Sequence, residues 1–475
     1  MDLDSKDELV NAPGPDEKPA VSDIYTEDGS VRHDFLAMVG TAIVDRDVVF
    51  LRRNVGRLHI SELGDVLEAL QPEQRTALVN LLGEDFDLAA LTEVDEAIRL
   101  EIVDQMPNDK IAAALGELDS DDAVYILEDL DQEDREEILS KLPFTERVRL
   151  RRALDYPESS AGRRMQSEFV AVPPFWTVGQ CIDYMREEPD LPDTFTQIFV
   201  IDPTFKLLGV VDLDRILRTR RNVRVEDIMR ETAHPIPAEM DQEEAAQLFQ
   251  QYDLLSAPVV DENGRLVGVL TIDDVVDVIH EEAEEDIKRL AGVGDEELSD
   301  SVFSTVRSRF LWLFINLGTA FLSSFVIGLF GATIEEMVAL AVLMPIVASM
   351  GGNAATQTMT VTVRALATRD LDIYNAGRII RRELGVGSTN GLLFALMVGV
   401  AAAVLYHDIQ LGVVIALALF LNFVAAALAG NLVPLLLNRF GADPAVASSV
   451  FVTTVTDMIG FFGFLGLATL WFGIR

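Results

Sequence analysis

Apolar positions along the chain fall into three regimes. From about Val31 to Leu154 they recur at helical spacing in short stretches, each opened by a turn or capping group. ISELGDVLEALQPEQRTALVNLL is split by a Gln-Pro turn. The stretch from Pro107 repeats the plan behind Pro107-Asn108-Asp109, Asp119-Ser120-Asp121, Asp131-Gln132-Glu133 and Pro143. Short helices that recur in this way predict a superhelical stack over 31–155. The preceding residues 1–30 are polar and rich in Asp, Glu and Pro, which predicts a disordered tail with no secretory signal.

The second regime is an internal repeat. IFVIDPTFKLLGVVDLDRIL matches SAPVVDENGRLVGVLTIDDVV, with Asp202, Gly209 and Asp214 each 59 residues before Asp261, Gly268 and Asp273. Each copy reads strand, helix, strand, turn, strand, helix, over 156–225 and 226–280. The second copy has Gly264 at the turn where the first has Phe205. A strongly acidic helical segment follows over 281–308. On the helix that leads into it, Asp277, Glu281, Glu284 and Glu285 share a face at i, i+3, i+4 spacing and repel unless solvent, as in a solvated linker, or a cation screens them.

The third regime is five long apolar runs, at about Phe310–Phe330, Ile334–Val363, Leu384–Tyr406, Leu411–Leu437 and Ala447–Phe472. Each is long enough to cross a bilayer, which takes about 20 residues. The connection holding Arg364, Arg369, Arg378, Arg381 and Arg382 is expected on the cytoplasmic side. The connections at Gly331–Thr333 and His407–Gln410 carry no Lys or Arg, while Arg307, Arg309 and Arg439 fall on the inner side. This sets the N-terminal part in the cytoplasm and the C-terminus outside. In the second run Pro345 and Gly351-Gly352 are expected to interrupt the helix, and Asn353, Thr356 and Gln357 put polar groups at membrane depth. A water-filled pathway accounts for both. Gly430, Asn431 and Pro434 in the fourth run have the same character.

Charge sharpens the picture. The net charge is −40, from 38 basic and 78 acidic residues, but from Arg309 onward eight of each sign cancel. The whole excess therefore lies in the part before the spans, a field that repels nucleic acid and attracts cations. An acidic surface of this kind also suits a saline habitat. The single Cys181 excludes an intrachain disulfide. Asp457 is the only charge within the last span, about 15 Å deep. An ionised carboxylate there costs at least about 2.5–3.5 kcal/mol. None of the five runs holds a Lys or Arg to pair with it, so its natural partner is a cation from solution.

The repeat, with its frame D-x-x-x-x-L-x-G-V-[LV]-x-x-D, resembles a tandem of CBS domains. Such pairs commonly sense adenine nucleotides, which makes ATP a candidate ligand, although the fold leaves the ligand open. YPESSAG, HEEAEEDIKRLAGV, PIVASMGGNAATQ, RALATRDLDI and GADPAVASSVFVTTVTDMIGFF together resemble the MgtE family of magnesium channels, from about Leu58 onward. The resemblance implies a multidomain membrane protein: an all-α superhelical N domain, α/β tandem CBS domains, a plug helix and a five-helix transmembrane domain over 309–475. It implies a homodimer in a bacterial inner membrane. Asp457 looks like the pore acid, with Pro345, Gly351, Gly352, Asn353 and Gln357 lining the pore beside it. Asp443 looks like a gating ligand beneath the plug. Asp274, Asp277, Glu282, Glu285 and Asp286 match cytosolic Mg2+ ligands, as do Glu243, Asp253 and Asp121. Tyr125 stands where the family places an acidic neighbour, Ala355 where it usually has Gly, and Val450 where it usually has Pro.

The ion chemistry agrees. Mg2+ gives up its water reluctantly, so two Asp457 carboxylates across a dimer axis would hold it hydrated. Zinc favours His and Cys, which the five spans lack. A membrane metalloprotease would need a histidine pair, and His407 is the only histidine after His280. The function implied is Mg2+ import, gated closed by cytosolic Mg2+; a coupled divalent-cation exchanger is the alternative.

Overall fold

The computed structural model describes residues 24–189, 191–192, 194–231, 234–293, 302–367, 371 and 376–473. Most of the expected tail, part of the segment after the acidic helix, and most of the Arg369–Asn375 connection lie outside the described residues. By contacts the chain forms two units, one up to Glu281 and one from Glu282 onward.

The first unit begins with helices α1 (His33–Asp45), α2 (Val48–Asn54), α3 (Ile60–Ala69), α4 (Pro72–Leu82), α5 (Glu96–Val103), α6 (Asn108–Leu115), α7 (Ser120–Glu128), α8 (Gln132–Lys141) and α9 (Phe144–Leu154). Each buries one stripe: Leu78, Val79 and Leu82 in α4, Ile111 and Leu115 in α6, Val124 and Leu127 in α7. These stripes form one continuous core. Isolated helices this short are marginal in water, so stacking holds them. The core starts earlier than the polar composition suggests. Ile24 is fully buried, and the Tyr25 hydroxyl donates to Asp65 at 2.6 Å. Residues 24–30 are thus part of the stack.

A short helix, α10 (Ala161–Arg164), leads into the repeat. Its first copy is β1 (Ala171–Val172), α11 (Val178–Glu187), β2 (Gln197–Ile201), β3 (Leu207–Asp212) and α12 (Leu213–Arg218). The second is β4 (Ile236–Pro237), α13 (Gln242–Tyr252), β5 (Ser256–Val260), β6 (Leu266–Thr271) and α14 (Ile272–Leu290). In each sheet the first strand runs parallel to the second, which is antiparallel to the third. The repeated motif residues are explained by this geometry. Asp202 and Asp261 accept backbone N–H bonds within their own turns. A Cβ on Gly209 would stand 2.5 Å from the Arg230 carbonyl, and one on Gly268 would stand 2.6 Å from the Gln166 carbonyl. Only glycine admits that approach.

The second unit contains the last residues of α14, then α15 (Val302–Gly328), a short α16 (Gly331–Glu336), α17 (Val338–Ala367), α18 (Ala376–Tyr406), α19 (Ile409–Arg439) and α20 (Pro444–Phe472). The five long ones are apolar enough to cross a membrane. Helix α19 is the most enclosed, with α17, α18 and α20 packed around it. The expected interruption in the second span is absent: α17 runs unbroken for 30 residues through Pro345 and Gly351-Gly352. Within a membrane bundle neighbouring groups compensate for a proline, and glycine serves close packing.

Candidate metal and pore site

In the first unit, acidic residues from the helical stack and from the second repeat copy converge on one cleft of about 610 Å³. Asp121 and Asp122 open α7, Asp274 and Asp277 lie on the first turns of α14, and Glu93 and Glu128 complete the wall. Burial first, then the Asp274 charge, pushes Asp121 well above the usual carboxylate range. Its Oδ2 accepts from Gln166 at 3.2 Å, while Oδ1 is shut off from solvent with no partner among the described residues. Burial raises Asp274 to about 6. Burial and the neighbouring Asp121, Asp119 and Glu93 carboxylates raise Asp122 to about 7. Asp277 and Glu93 are raised too, chiefly by burial. The cleft is therefore a set of carboxyls short of positive charge, whose ionisation a cation would favour.

One side of the cleft already holds a cation. Arg164 pairs with Glu281 at 2.8 Å and lies 5.4 Å from the centre of the Tyr125 ring, with Arg99 at 4.4 Å. Tyr125 thus offers an aromatic surface to two guanidinium groups. The other expected ligands of the second copy do not join this cleft. Glu243 is at the start of α13 and Asp253 is its left-handed C-cap, about 15 Å further along the helix. They do not meet each other within one chain.

In the second unit, Asp443 caps the N-terminus of α20 by accepting from the Ala445 amide at 2.8 Å. It is also ion-paired with Arg289 at 2.6 Å. Arg289, one turn beyond Glu285 on α14, pairs with that residue as well. A guanidinium thus sits beside the carboxylates to which the family resemblance assigns Mg2+. Asp286 is held above its ordinary value by burial, then by Asp443 and Glu282.

Asp457 is half-buried on α20, with no hydrogen-bond or ionic partner among the described residues. On α17 the side chains of Pro345, Ser349, Asn353, Thr356, Gln357 and Thr360 are exposed in the single chain and recur at three- and four-residue spacing. They form a polar stripe along an otherwise apolar helix. Asn353 and Gln357 also line a cavity of about 470 Å³ with Arg382, the buried Glu383 and Asn390 of α18; Asp457 does not line it. The glycine pair has two different roles. A Cβ on Gly351 would stand 2.1 Å from Asn422 Nδ2, whereas one on Gly352 would meet only a Thr453 methyl at 4.0 Å. Asn422, buried on α19, donates to the Val347 carbonyl at 3.0 Å, and Gly460 of α20 packs against it from the other side. Its Oδ1 has no partner among the described residues. Asn422 is a membrane-depth polar group that the pattern along the chain did not single out. Gly430 and Asn431 do not line a pathway within the chain. Gly430 packs against the Ala355 backbone, and the buried Asn431 accepts from Thr362 at 3.1 Å.

Among the described residues, no three His, Cys, Asp or Glu side chains close on a point that could hold a metal ion. The carboxylates come instead as pairs and open walls.

The profile of a divalent cation transporter family, MgtE, matches residues 344–467, that of the MgtE intracellular N domain 58–159, and that of the CBS domain 161–222 and 225–281. The magnesium transporter MgtE of Bacillus subtilis is 29% identical over 419 residues, 88% of this chain and 93% of the relative. That of Enterococcus faecalis is 32% identical over 68% of this chain and 71% of the relative; that of Thermus thermophilus is 37% identical over 66% and 70%. A solved cytosolic domain of the Mg2+ channel MgtE in complex with ATP is 30% identical, covers 51% of this chain and 99% of that one, and superposes with a TM-score of 0.48. With an acidic helical stack, a CBS pair and five membrane helices in that order, the chain belongs to the MgtE family of magnesium transporters.

Proposed function

We propose that the protein is a Mg2+ channel that imports the ion and is closed by Mg2+ on the cytosolic side. The observation that carries this is the unpartnered Asp457 on a membrane helix. A lone carboxylate at that depth needs a cation, and a second chain related by a dimer axis would supply a second carboxylate. The polar stripe of α17, exposed in one chain, supports the same assembly, because polar groups in hydrocarbon must face protein or water. Pairs and walls of carboxylates, in place of closed cages, suit an ion held through its water shell.

Closure follows from linkage: an ion favours the state that binds it better. Mg2+ entering the acidic cleft replaces protons on Asp121, Asp122 and Asp274 and removes the repulsion among them. The Glu282, Glu285, Asp286 and Asp443 set is neutralised in the same way, with Arg289 as a resident partner. On this reading both sets lie in the cytoplasm and the five helices span a bacterial inner membrane. ATP in the cleft between the repeat copies, lined by Phe195, Thr196 and Ser256, would add a second input.

The test is Mg2+ uptake into proteoliposomes at stepped internal Mg2+. Neutralising the plug (Glu282→Gln, Glu285→Gln and Asp286→Asn together) leaves uptake intact and weakens inhibition by internal Mg2+. Unchanged inhibition would contradict the gating.

A further inference from the structure

A pocket of about 430 Å³ lies where α9 meets the two hairpin turns of the repeat. Its floor is apolar and buried: Ala153, Met165 and Leu266. Its rim is basic. Arg149 and Arg152 project from one face of α9, three residues apart, and Arg265 comes from the second hairpin. Arg149 donates to Glu168 at 3.3 Å. Arg152 and Arg265 have no hydrogen-bonded or ion-paired side chain among the described residues. The carboxylate on the rim, Asp261, accepts from the Asn263 and Arg265 amides at 2.9 Å and lies within the field of both Arg265 and Arg152. In a chain of net charge −40, this is a concave surface with more guanidinium groups than carboxylates.

The second observation is Phe205. It occupies the left-handed turn position, φ +65°, that the sister hairpin fills with Gly264, φ +73°. A bulky residue is a genuine outlier in that region. The residue is 57% exposed, so burial does not compensate the strain. It lines the pocket opposite Phe169. Backbone strain retained without a packing return points to a ligand.

We propose that this pocket binds a mononucleotide-class anion, its phosphate held by Arg152 and Arg265 and its flat ring lying on Phe205. Guanidinium groups match phosphate geometry and stack on aromatic rings. An inorganic anion would leave the apolar floor and both rings unused. The volume suits one small organic ligand. The site is separate from the cleft between the repeat copies and independent of the metal reading, because it is assayed by binding without flux.

The experiment is calorimetric titration of the full-length protein with AMP, and with inorganic pyrophosphate as a ringless control. Wild type binds both. Arg152→Ala with Arg265→Ala weakens both by about tenfold or more. Phe205→Gly weakens AMP alone, and raises the melting temperature of the ligand-free protein by a few degrees through relief of the turn. Three results would each overturn the proposal: no saturable AMP binding by wild type, equal AMP binding by the double variant, or a Phe205→Gly protein that melts below wild type.

Discussion

Asp122→Asn isolates what the acidic cleft costs the protein in the absence of a cation. The Asp122 carboxyl is raised from 3.8 to about 7 by burial, then by Asp121, Asp119 and Glu93. A carboxyl whose folded pKa lies above its unfolded value holds its proton better when folded. Its contribution is therefore present below about pH 4 and is lost as pH rises through about 7. A tenfold difference in proton affinity is about 1.36 kcal/mol, so at pH 8 an ionised Asp122 costs up to about 4 kcal/mol. An isosteric amide removes that charge. The assay is thermal unfolding of the full-length protein in chelator at pH 8 and at pH 5. At pH 8 the variant melts higher by several degrees, at about 2–4 °C per kcal/mol for a domain of this size. At pH 5 the folded side chain is already protonated and the difference shrinks to about 1–2 kcal/mol, vanishing only below about pH 4. Adding Mg2+ at pH 8 closes the gap as well, because the ion neutralises the wild-type cleft. A variant no more stable than wild type at pH 8, or equally stabilised at both pH values, would refute the reasoning.

Two further substitutions probe the second unit. Gly351→Ala drives a methyl into Asn422 Nδ2 and displaces its bond to Val347, a loss of about 2–4 kcal/mol. Gly352→Ala meets only a methyl at 4.0 Å and should be near neutral; equal melting temperatures for the pair in detergent would contradict the packing. Arg289→Ala removes the resident partner of Glu285 and Asp443, worth about 1 kcal/mol at this exposure. The internal Mg2+ needed for half-closure then shifts upward by about fivefold; an unchanged midpoint would rule out a gating role for Arg289.

The sequence disclosed those features that rest on period and composition. Five apolar runs became five long helices because nothing but length and hydropathy is needed to specify them. The repeat disclosed both sheets because Gly209 and Gly268 are forced by a backbone approach that recurs in each copy. Misreadings arose where tertiary contacts decide. Pro345 reads as a break, yet α17 passes through it, since its bundle supports the helix. Asn431 reads as sharing the polar character of the second run, yet it is satisfied by Thr362 within the bundle. Asn422 carries no local signal at all: its importance lies in Gly351 and Gly460, which are remote in sequence and close in space. Arg289 and Arg164 look like ordinary helix charges until the acids they neutralise are placed beside them. Asp122 reads as a helix-start carboxylate, a common surface choice, and only its burial beside Asp121, Asp119 and Glu93 makes it costly.

The central claim concerns Asp457, and uptake by Asp457→Asn tests it most directly. The amide keeps the shape and removes the charge. Reconstituted beside wild type at low internal Mg2+, with correct folding shown by an unchanged melting temperature, the variant is expected to take up Mg2+ at the rate of empty liposomes. Uptake at the wild-type rate would show that the ion does not depend on this carboxylate, and the pore account would fall.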